Sequence, residues 1–336
     1  MTRIYPGISQ IGGKSRSLKT ILEYIPHHEF FLSLFAGACW VELNKPRCRY
    51  ECFNDNDAEI INYFLMIREH PEEFEKMKEG VLGLVSQEIA NRIFRGEIQP
   101  KNNLERAYYF YYLNKVGFSG FRARKNLPYR CFSDAKANNR GVILPTTCKD
   151  KSINEAKASY RGVALKASYK GISPKTTRPW TNNDMGILTP IDKNTIKRLR
   201  YVNLTAYDFK KVYKLFYRAF YKRKGLEKEC LVYADPPYPG TEQYYGKENV
   251  FNREDHEYLI TKMKESPFNF TLSIGGECDF YLEELEDMNI VELNVKYSTS
   301  ANHQYKRKEY LIMNYEIDKE PKMIFSSEQE ILEKYF

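Results

Sequence analysis

Short apolar runs recur along the chain, and several of them are separated by segments in which apolar residues have helical spacing. Runs of four to eight apolar or β-branched residues predict buried strands. Strands that alternate with helices are typical of a parallel α/β sheet wound on both faces, which is the fold class expected here. The predicted strands are residues 30–35, 50–54, 201–204, 230–234, 269–274, 290–295 and 309–315. The predicted helices between them are residues 17–25, 58–67, 209–220 and 253–263.

The alternation of strands and helices stops between about residues 68 and 199. This region begins with a helical pattern at residues 107–116 and then becomes polar and basic, with Gly, Ser and Asn throughout. It therefore predicts a second domain or a long insertion. Near the C-terminal end, the polar residues 296–308 join the last two strands, which are predicted to form an antiparallel hairpin.

Composition narrows the function classes. The 336 residues include 52 Lys and Arg against 44 Asp and Glu, a net charge of +8, with 27 Tyr and 20 Phe. A basic chain rich in stacking side chains is compatible with nucleic-acid binding. The seven cysteines are odd in number and form no Cys-x-x-Cys pair, which argues against a disulfide framework and a zinc ribbon. No run approaches the ~18 apolar residues of a membrane span, so we expect a soluble, cytoplasmic protein.

Glycines, acids and a lysine lie at the ends of the predicted elements. Gly12, Gly13 and Lys14 directly precede the first helix. Paired glycines allow close backbone approach to a ligand, and a helix N-terminus beside a lysine favours an anion. Gly37 follows the first strand, and Asp55 follows the second, where an acid can accept hydrogen bonds from ribose hydroxyls.

Two further strands end in acidic residues. Asp208 and Phe209 follow the third strand, in a position to contact an adenine ring. The fourth strand ends in Asp235, Pro236 and Pro237, and the two prolines predict a rigid turn directly after the acid. Ligands of parallel sheets bind outside the carboxyl ends of the strands, so these residues are expected to share one rim.

The ordered motifs resemble those of the Dam-type, alpha-group DNA adenine N6-methyltransferases over residues of about 7–130 and 200–316. The motifs are GGK (12–14), FAGA (35–38), NDND (54–57), LNKVGFSGFRAR (113–124), DPPY (235–238) and KRKEYLIMNY (306–315). The resemblance implies a Rossmann-like methyltransferase domain, S-adenosyl-L-methionine as the methyl donor and a flipped adenine of double-stranded DNA as the acceptor. It assigns residues 1–67 and 200–318 to the catalytic domain, 68–199 to a partly helical target-recognition domain with a basic loop, and 319–336 to a tail.

The chemistry of this family explains the turn after the fourth strand. The N6 lone pair of adenine is delocalised into the ring, so two acceptors against the amino hydrogens would return electron density to nitrogen. The Asp235 carboxylate and the Pro236 carbonyl are the candidates, held by Pro237, while Tyr238 stacks on the flipped base. Neither a metal ion nor a cysteine nucleophile is required.

The resemblance also implies a cofactor site. Its candidate residues are Gln10, Lys14, Phe35, Gly37, Asp55, Asp208, Phe209 and Asp235. The family usually has an aromatic residue where this chain has Gln10, Glu-Pro where it has Ser33-Leu34, and Gly where it has Cys39.

Candidate DNA contacts lie in the inserted region. Phe118 is at the position of a tyrosine that wedges into the base stack, and the candidates that contact phosphate or guanine edges are Arg122, Arg124, Lys125, Arg130, Arg161 and Lys170. The last two belong to a repeat, ASYRGV (158–163) and ASYKGI (167–172), whose role the sequence leaves open. Arginines 122 and 124 are shifted by one position from the Leu-x-Arg of GATC readers, so GATC is not indicated as the target.

Alternatives to this function remain open. One is a catalytically silent, methyltransferase-like DNA-binding subunit, and others are methylation of cytosine N4 or of RNA. A cognate restriction endonuclease is a candidate partner, since such enzymes occur in restriction-modification systems as well as alone. The expected oligomeric state is a monomer or a weak dimer.

Overall fold

The strands form one seven-stranded sheet in this computed structural model. The structure describes residues 3–10, 12–84, 86–116, 188, 190–221, 223, 225–240, 251–300 and 303–317. The strands are β1 Phe30–Ser33, β2 Tyr50–Asn54, β3 Asn203–Thr205, β4 Cys230–Ala234, β5 Asn269–Gly275, β6 Asn289–Ser300 and β7 His303–Met313.

The strand order is β3-β2-β1-β4-β5-β7-β6. Strands β1 to β5 are parallel, β7 runs antiparallel to β5, and β6 and β7 form an antiparallel hairpin. Every residue of β1, β4 and β5 is buried, as expected for central strands covered on both faces. The mixed α/β class and the seven predicted strands are confirmed. The prediction of residues 296–308 as a link was wrong, because β6 extends to Ser300 and β7 begins at His303. Strand pairing uses backbone hydrogen bonds, so polar residues can prolong the hairpin.

Helices occupy most of the segments between the strands. They are α1 Leu18–Tyr24, α2 Trp40–Asn44, α3 Ala58–Glu69, α4 Pro71–Lys76, α5 Gln87–Phe94, α6 Asn103–Val116, α7 Lys193–Leu199, α8 Phe209–Phe220, α9 Arg253–Lys264 and α10 Asp279–Glu284. Short 3₁₀ helices cover Met77–Glu79, Val81–Gly83 and Glu227–Glu229. No helix in the described ranges is both long and apolar enough to cross a bilayer.

Local sequence signals explain where the helices beside the sheet begin. Asp208 caps α8 by accepting hydrogen bonds from the backbone N–H groups of Lys210 and Lys211. Asn252 and Asp255 form a reciprocal capping box at the start of α9. Side chains of both helices pack in one buried core with residues of the central strands, which fixes the strand ends against the helix starts.

The chain divides into two compact units. The first comprises Met1–Pro6, Gly12–Phe64 and Asn194–Phe336, and the second comprises Gly7–Ile11 and Leu65–Lys193. The first unit contains the sheet. The assignment of residues 68–199 to target recognition stays a prediction.

The described part of the second unit has a tyrosine-rich centre. Tyr108, Tyr111 and Tyr112 of α6 are fully buried, and the Tyr108 hydroxyl donates a hydrogen bond to the Leu82 carbonyl at 2.6 Å. The Asn114 side chain donates to the Ser9 carbonyl at 2.7 Å and accepts from the Ser9 N–H at 2.9 Å. This paired amide contact fixes the segment of residues 7–11 to α6.

Candidate active site

The Asp-Pro-Pro-Tyr turn follows strand β4 directly. All five residues of β4 are buried, and Asp235 is the first residue after the strand. The two prolines fix their own φ angles and have no N–H to extend the sheet, so the backbone after Asp235 is rigid. The Asp235 side chain is 19% exposed and Pro236 is buried, so the acid lies at the opening of a largely buried site.

Lys14 joins the N-terminal glycine segment to this turn. Its Nζ lies 2.6 Å from Oδ1 of Asp235 and donates hydrogen bonds to the Tyr238 hydroxyl at 2.7 Å and the Gly12 carbonyl at 3.0 Å. The contact with Asp235 is a charge-assisted ion pair between two largely buried groups. The lysine therefore holds the carboxylate in place through Oδ1.

The protonation of this pair follows from burial and its neighbours. Burial, together with the carboxylate of Glu309, raises the pKa of Asp235 to about 6, although Lys14 opposes the rise. Burial opposes the charge of Lys14, but Asp235 and then Glu309 raise its pKa above the ordinary value. At pH 7 or above the pair thus consists of an ammonium and a carboxylate.

Two glycines at the end of β5 support the turn. A side chain on Gly275 would place its Cβ 2.9 Å from Cε2 of Tyr238, so only glycine leaves room for this ring. Gly276 has φ +75°, and the N–H of Glu277 donates to the Pro239 carbonyl at 3.3 Å. The Tyr238 ring is consequently held against the strand end.

The loop after β1 forms the next part of the rim. Gly37 has φ +50°, and its N–H donates to Oδ2 of Asp55 at 2.8 Å. The other oxygen of Asp55 accepts the N–H of Asp57 at 2.8 Å, and Asp57 in turn accepts the N–H of Glu59 at the start of α3. Asp55 thus joins two strand ends, and Asp57 is the helix cap.

Asn54 ties three neighbouring strand ends together from inside the protein. Its side-chain N–H groups donate to the carbonyls of Leu34 at 3.1 Å and Tyr207 at 2.9 Å. Its side-chain oxygen accepts from the Thr205 hydroxyl at 2.8 Å and the Tyr207 N–H at 3.0 Å. Because Asn54 is fully buried, these four bonds make the rim rigid.

The predicted adenine-contacting residues lie beside this rim. The rings of Phe35 and Phe209 are 5.1 Å apart, and Phe209 also packs on Phe251 at 5.3 Å. Phe209 is buried, whereas Phe35 is half-buried. Asp208 is exposed, and one of its oxygens caps α8. An aromatic wall therefore lies next to Asp55 and the Gly37 loop.

The remaining predicted site residues are Gln10 and the candidate DNA contacts. Gln10 belongs to the second compact unit, where its side-chain oxygen is buried without a hydrogen-bond partner in the described ranges. The predicted DNA contacts lie outside the described residues, and these are Phe118, Arg122, Arg124, Lys125, Arg130, Arg161 and Lys170. Of the seven cysteines, the five described ones are free thiols. The described residues contain no group of three or more acids, histidines or cysteines arranged for a metal ion.

Sequence reasoning missed several residues of the site. Asn54 and Glu309 lie within the quoted motifs, but only their strand positions were predicted. Glu42, Tyr233 and Gly275 carried no signal, because their importance depends on neighbours that are distant along the chain. Tyr233 is 1% exposed, and its hydroxyl has no hydrogen-bond partner in the described part of the chain.

This arrangement can present a fixed carboxylate to a substrate amine. A carboxylate has acceptor positions beyond the one that Lys14 contacts, and the aromatic wall with its acidic and glycine-rich rim suits a nucleoside. Adjacent strand ends of one sheet thus supply a reacting group and a binding surface.

Residues 11–128 match the family described as D12 class N6 adenine-specific DNA methyltransferase. The matched segment contains Lys14, the Gly37 loop and Asp55, and it ends before the Asp235 turn. The match confirms the resemblance stated from the sequence and supports the predicted enzyme class, an adenine-specific DNA methyltransferase acting on DNA. No curated protein matches the chain.

Proposed function

We propose that this protein transfers a methyl group from S-adenosyl-L-methionine to N6 of an adenine flipped out of double-stranded DNA. The contact of Lys14 with Asp235 inside the Pro-Pro turn carries this proposal, because it gives a buried, oriented acceptor of the kind that amino-group methylation requires. Residues 68–199 are proposed to read the target sequence.

Asp235 activates the amino group by hydrogen bonding. The N6 lone pair of adenine is conjugated with the ring, so it is a weak nucleophile until an acceptor draws on the N6–H bonds. With a pKa of about 6, Asp235 is ionised at neutral pH and is such an acceptor. Once nitrogen has gained its fourth bond, the Asp235 carboxylate accepts the N6 proton.

Lys14 and Tyr238 position the reacting groups. Lys14 is 4% exposed and keeps the carboxylate from rotating, while its hydrogen bond to the Tyr238 hydroxyl fixes the ring. The half-buried Tyr238 ring offers a face on which a flipped base stacks. Because both residues orient the reacting groups in advance, less entropy is lost on reaching the transition state.

The rim fits the proposed cofactor. Asp55 is half-buried at the rim, where its carboxylate can bind ribose hydroxyls, while Phe35 and Phe209 offer the aromatic wall for an adenine ring. When bound, the cofactor supplies a methyl group on a sulfonium, whose S–CH₃ bonding electrons stay on sulfur as the N6 lone pair forms the new bond.

Methyl-labelled cofactor tests this function. The full chain is incubated with labelled S-adenosylmethionine and unmethylated plasmid DNA, and the digested nucleosides are identified by mass spectrometry. Label in N6-methyldeoxyadenosine is expected. Label in N4-methyldeoxycytidine, or transfer to RNA alone, would contradict the proposal.

The same preparation separates an enzyme from a silent subunit. Calorimetric titration with S-adenosylmethionine should give saturable binding in an active enzyme. DNA binding without cofactor binding and without transfer would indicate the silent subunit instead. The Asp235→Asn variant serves as the matched negative control, since it changes one oxygen to an amide nitrogen at nearly constant volume.

A further inference from the structure

Helix α8 has two faces of different composition. Its apolar face is buried in the core beside the sheet and consists of Phe209, Val212, Tyr213, Phe216 and Phe220. The opposite face exposes Lys211, Lys214 and Arg218. With 3.6 residues per turn, these three cations lie within about 60° of the helix circumference. They therefore form one row along the outside of the helix, the basic row.

The basic row has no acidic partner. The helix contains four Lys or Arg and neither Asp nor Glu. Lys210 pairs with Asp255 of α9 at 2.5 Å, but the basic row forms no ion pair with any residue in the described ranges. Asp208, directly before the helix, uses its carboxylate to cap backbone N–H groups. The three charges of the row are thus left uncompensated by the described chain.

The spacing within the row does not favour the helix. Lys211 and Lys214 are three residues apart, and Lys214 and Arg218 are four apart. Side chains at these separations are neighbours on a helix, and like charges there destabilise it. Helix stability therefore gives no reason for this arrangement.

The neighbouring helix α9 differs in this respect. Its outer cations are paired with acids, namely Arg253 with Glu257 at 2.8 Å, Lys262 with Glu265 at 2.7 Å and Lys264 with Glu284 at 2.7 Å. The positive charges of α9 are thus balanced within the chain. The basic row of α8 is consequently a local excess of positive charge.

The basic row starts beside the candidate active site. Phe209, in the first turn of α8, packs on Phe35 of the rim at 5.1 Å, and Lys211 lies over the ring of Tyr207 at 3.8 Å. At the other end of the helix, Phe220 packs at 4.5 Å on Phe30, the first residue of β1. The row therefore leads away from the carboxyl edge of the sheet, where the Asp235 turn lies.

The dimensions of the row suit a run of phosphates. Lys211 and Arg218 are seven residues apart, which corresponds to about 10 Å along the helix axis. One strand of double-stranded DNA presents about three phosphates over such a length. Exposed lysine and arginine side chains contact phosphates in DNA of any sequence. The row thus matches a short stretch of DNA backbone in charge, number and length.

We infer that the basic row binds the phosphate backbone of the duplex that flanks the target site. The inference rests on the proposed function, in which double-stranded DNA is the substrate. Because the row starts at the edge of the candidate active site, DNA held there has its flanking backbone on the side of α8. An acidic protein surface would also attract these cations, but the matched family acts on DNA. The row therefore contributes affinity for the flanks, without reading bases.

The salt dependence of DNA binding tests this inference. Dissociation constants for a duplex fragment are measured by fluorescence anisotropy from low to moderate salt, for the wild type and for Lys211→Ala, Lys214→Ala and Arg218→Ala combined. Each phosphate contact adds about 0.9 to the slope of log affinity against log salt, so the triple variant should flatten the slope by about 2 to 3. An unchanged slope would overturn the inference and leave the row to an acidic protein partner.

A matched variant removes three positive charges from paired cations. Arg253→Ala, Lys262→Ala and Lys264→Ala combined should change the slope by less than about one unit, since these side chains are engaged with acids of the chain. Equal flattening by both triple variants would show that only net charge acts, and this would overturn the inference.

A charge-preserving variant separates charge from folding. Lys211→Arg and Lys214→Arg combined should keep the wild-type slope, because both cations remain. The alanine variant of the row should unfold in urea at no lower concentration than the wild type, since it removes repulsion between like charges. A loss of the slope in the arginine variant would contradict phosphate binding by the row.

The length of the flanks tests where the row binds. Once the labelling experiment has identified the target, duplexes with short and long flanks around it are compared. Longer flanks should strengthen binding by the wild type and should strengthen binding by the alanine variant of the row much less. Equal gains would overturn the inference, and methyl transfer by the wild type would still support the proposed function. A wild type that neither binds DNA nor transfers the label would overturn both.

Discussion

Two buried carboxylates of the same compact unit each contact a lysine, yet their pKa values shift in opposite directions. Lys45 lies 2.6 Å from Glu51, and Lys14 lies 2.6 Å from Asp235. Burial would raise the pKa of Glu51, but Arg198 and then Lys45 lower it to about 2. The pKa of Asp235 is instead raised to about 6.

The number of compensating cations explains the difference. Both oxygens of Glu51 are bound, with Arg198 contacting the two together and Lys45 contacting one of them. Asp235 has Lys14, and the charge of Glu309 opposes it. Glu51, whose charge is balanced by two cations, stabilises the fold. Asp235, whose charge is balanced less completely, can still interact with a substrate.

The largest expected effect is a loss of stability on changing the cluster of Lys45, Glu51 and Arg198. Arg198→Ala should destabilise the protein by about 3–5 kcal/mol, because it leaves Glu51 buried with only part of its compensation. The free energy of unfolding in urea measures this loss. Lys197→Ala, an exposed cation on the same helix, should change stability by less than about 0.5 kcal/mol. Equal losses in both variants would show that the cluster has no special structural weight.

The opposite result is expected at Asp235. Asp235→Asn should lower the single-turnover rate of methyl transfer by about 10²–10³, the scale for a lost preorganised electrostatic group, and it should affect stability less than Arg198→Ala does. Asp57→Asn is the matched control, because asparagine caps helices as well as aspartate does, and it should keep the wild-type rate. A wild-type rate in Asp235→Asn would remove Asp235 from the chemistry.

Asp55 is intermediate between Glu51 and Asp235. Its oxygens accept N–H groups of Gly37 and Asp57, as in a structural role, but they lie at the rim of the site. Asp55→Ala should weaken S-adenosylmethionine binding by about 1.5–3 kcal/mol, the range for hydrogen bonds to a charged group. The rate at saturating cofactor should fall much less. If calorimetry shows an unchanged dissociation constant, Asp55 only joins the strand ends.

The pH dependence should differ between the two carboxylates. Protonation of Asp235 removes the acceptor, so the single-turnover rate should fall as the pH drops through about 6, approaching about tenfold per pH unit below it. Glu51 has a depressed pKa, so its contribution to stability is complete above the ordinary value of 4.5 and is lost as the pH falls toward about 2. As the pH falls, the rate should therefore decrease before the contribution of Glu51 to the free energy of unfolding is lost. A rate that stays constant through pH 6 would contradict the role of Asp235 as the acceptor.

The sequence predicted the strands and the acids at their ends because both depend on local patterns. Apolar runs located all seven strands, and the Pro-Pro turn located Asp235. Local patterns could not reveal the contact of Lys14 with Asp235, since the two are far apart along the chain. The hydrogen bond of Ser33 with Glu42 was not predictable, because it requires the return of α2 onto the end of β1.

Cys39 shows a different limit of sequence reasoning. It was noted only as a departure from a usual glycine, and the structure gives the physical reason for that glycine. Cys39 has φ +57°, in the left-handed region that non-glycine residues rarely adopt. Composition cannot reveal this angle, because it is set by the turn between β1 and α2.

The pairing of the two central strands has a consequence for how the protein forms. Phe30 of β1 pairs with Cys230 of β4, positions 200 residues apart. Closing so long a loop costs entropy before its contacts contribute, so this pairing is expected to be a slow step of folding. Lys14 is expected to contact Asp235 only after β1 and β4 have paired, so the candidate active site of a newly made chain forms late in folding. A cofactor that binds only the folded protein would shift the folding equilibrium toward the folded state.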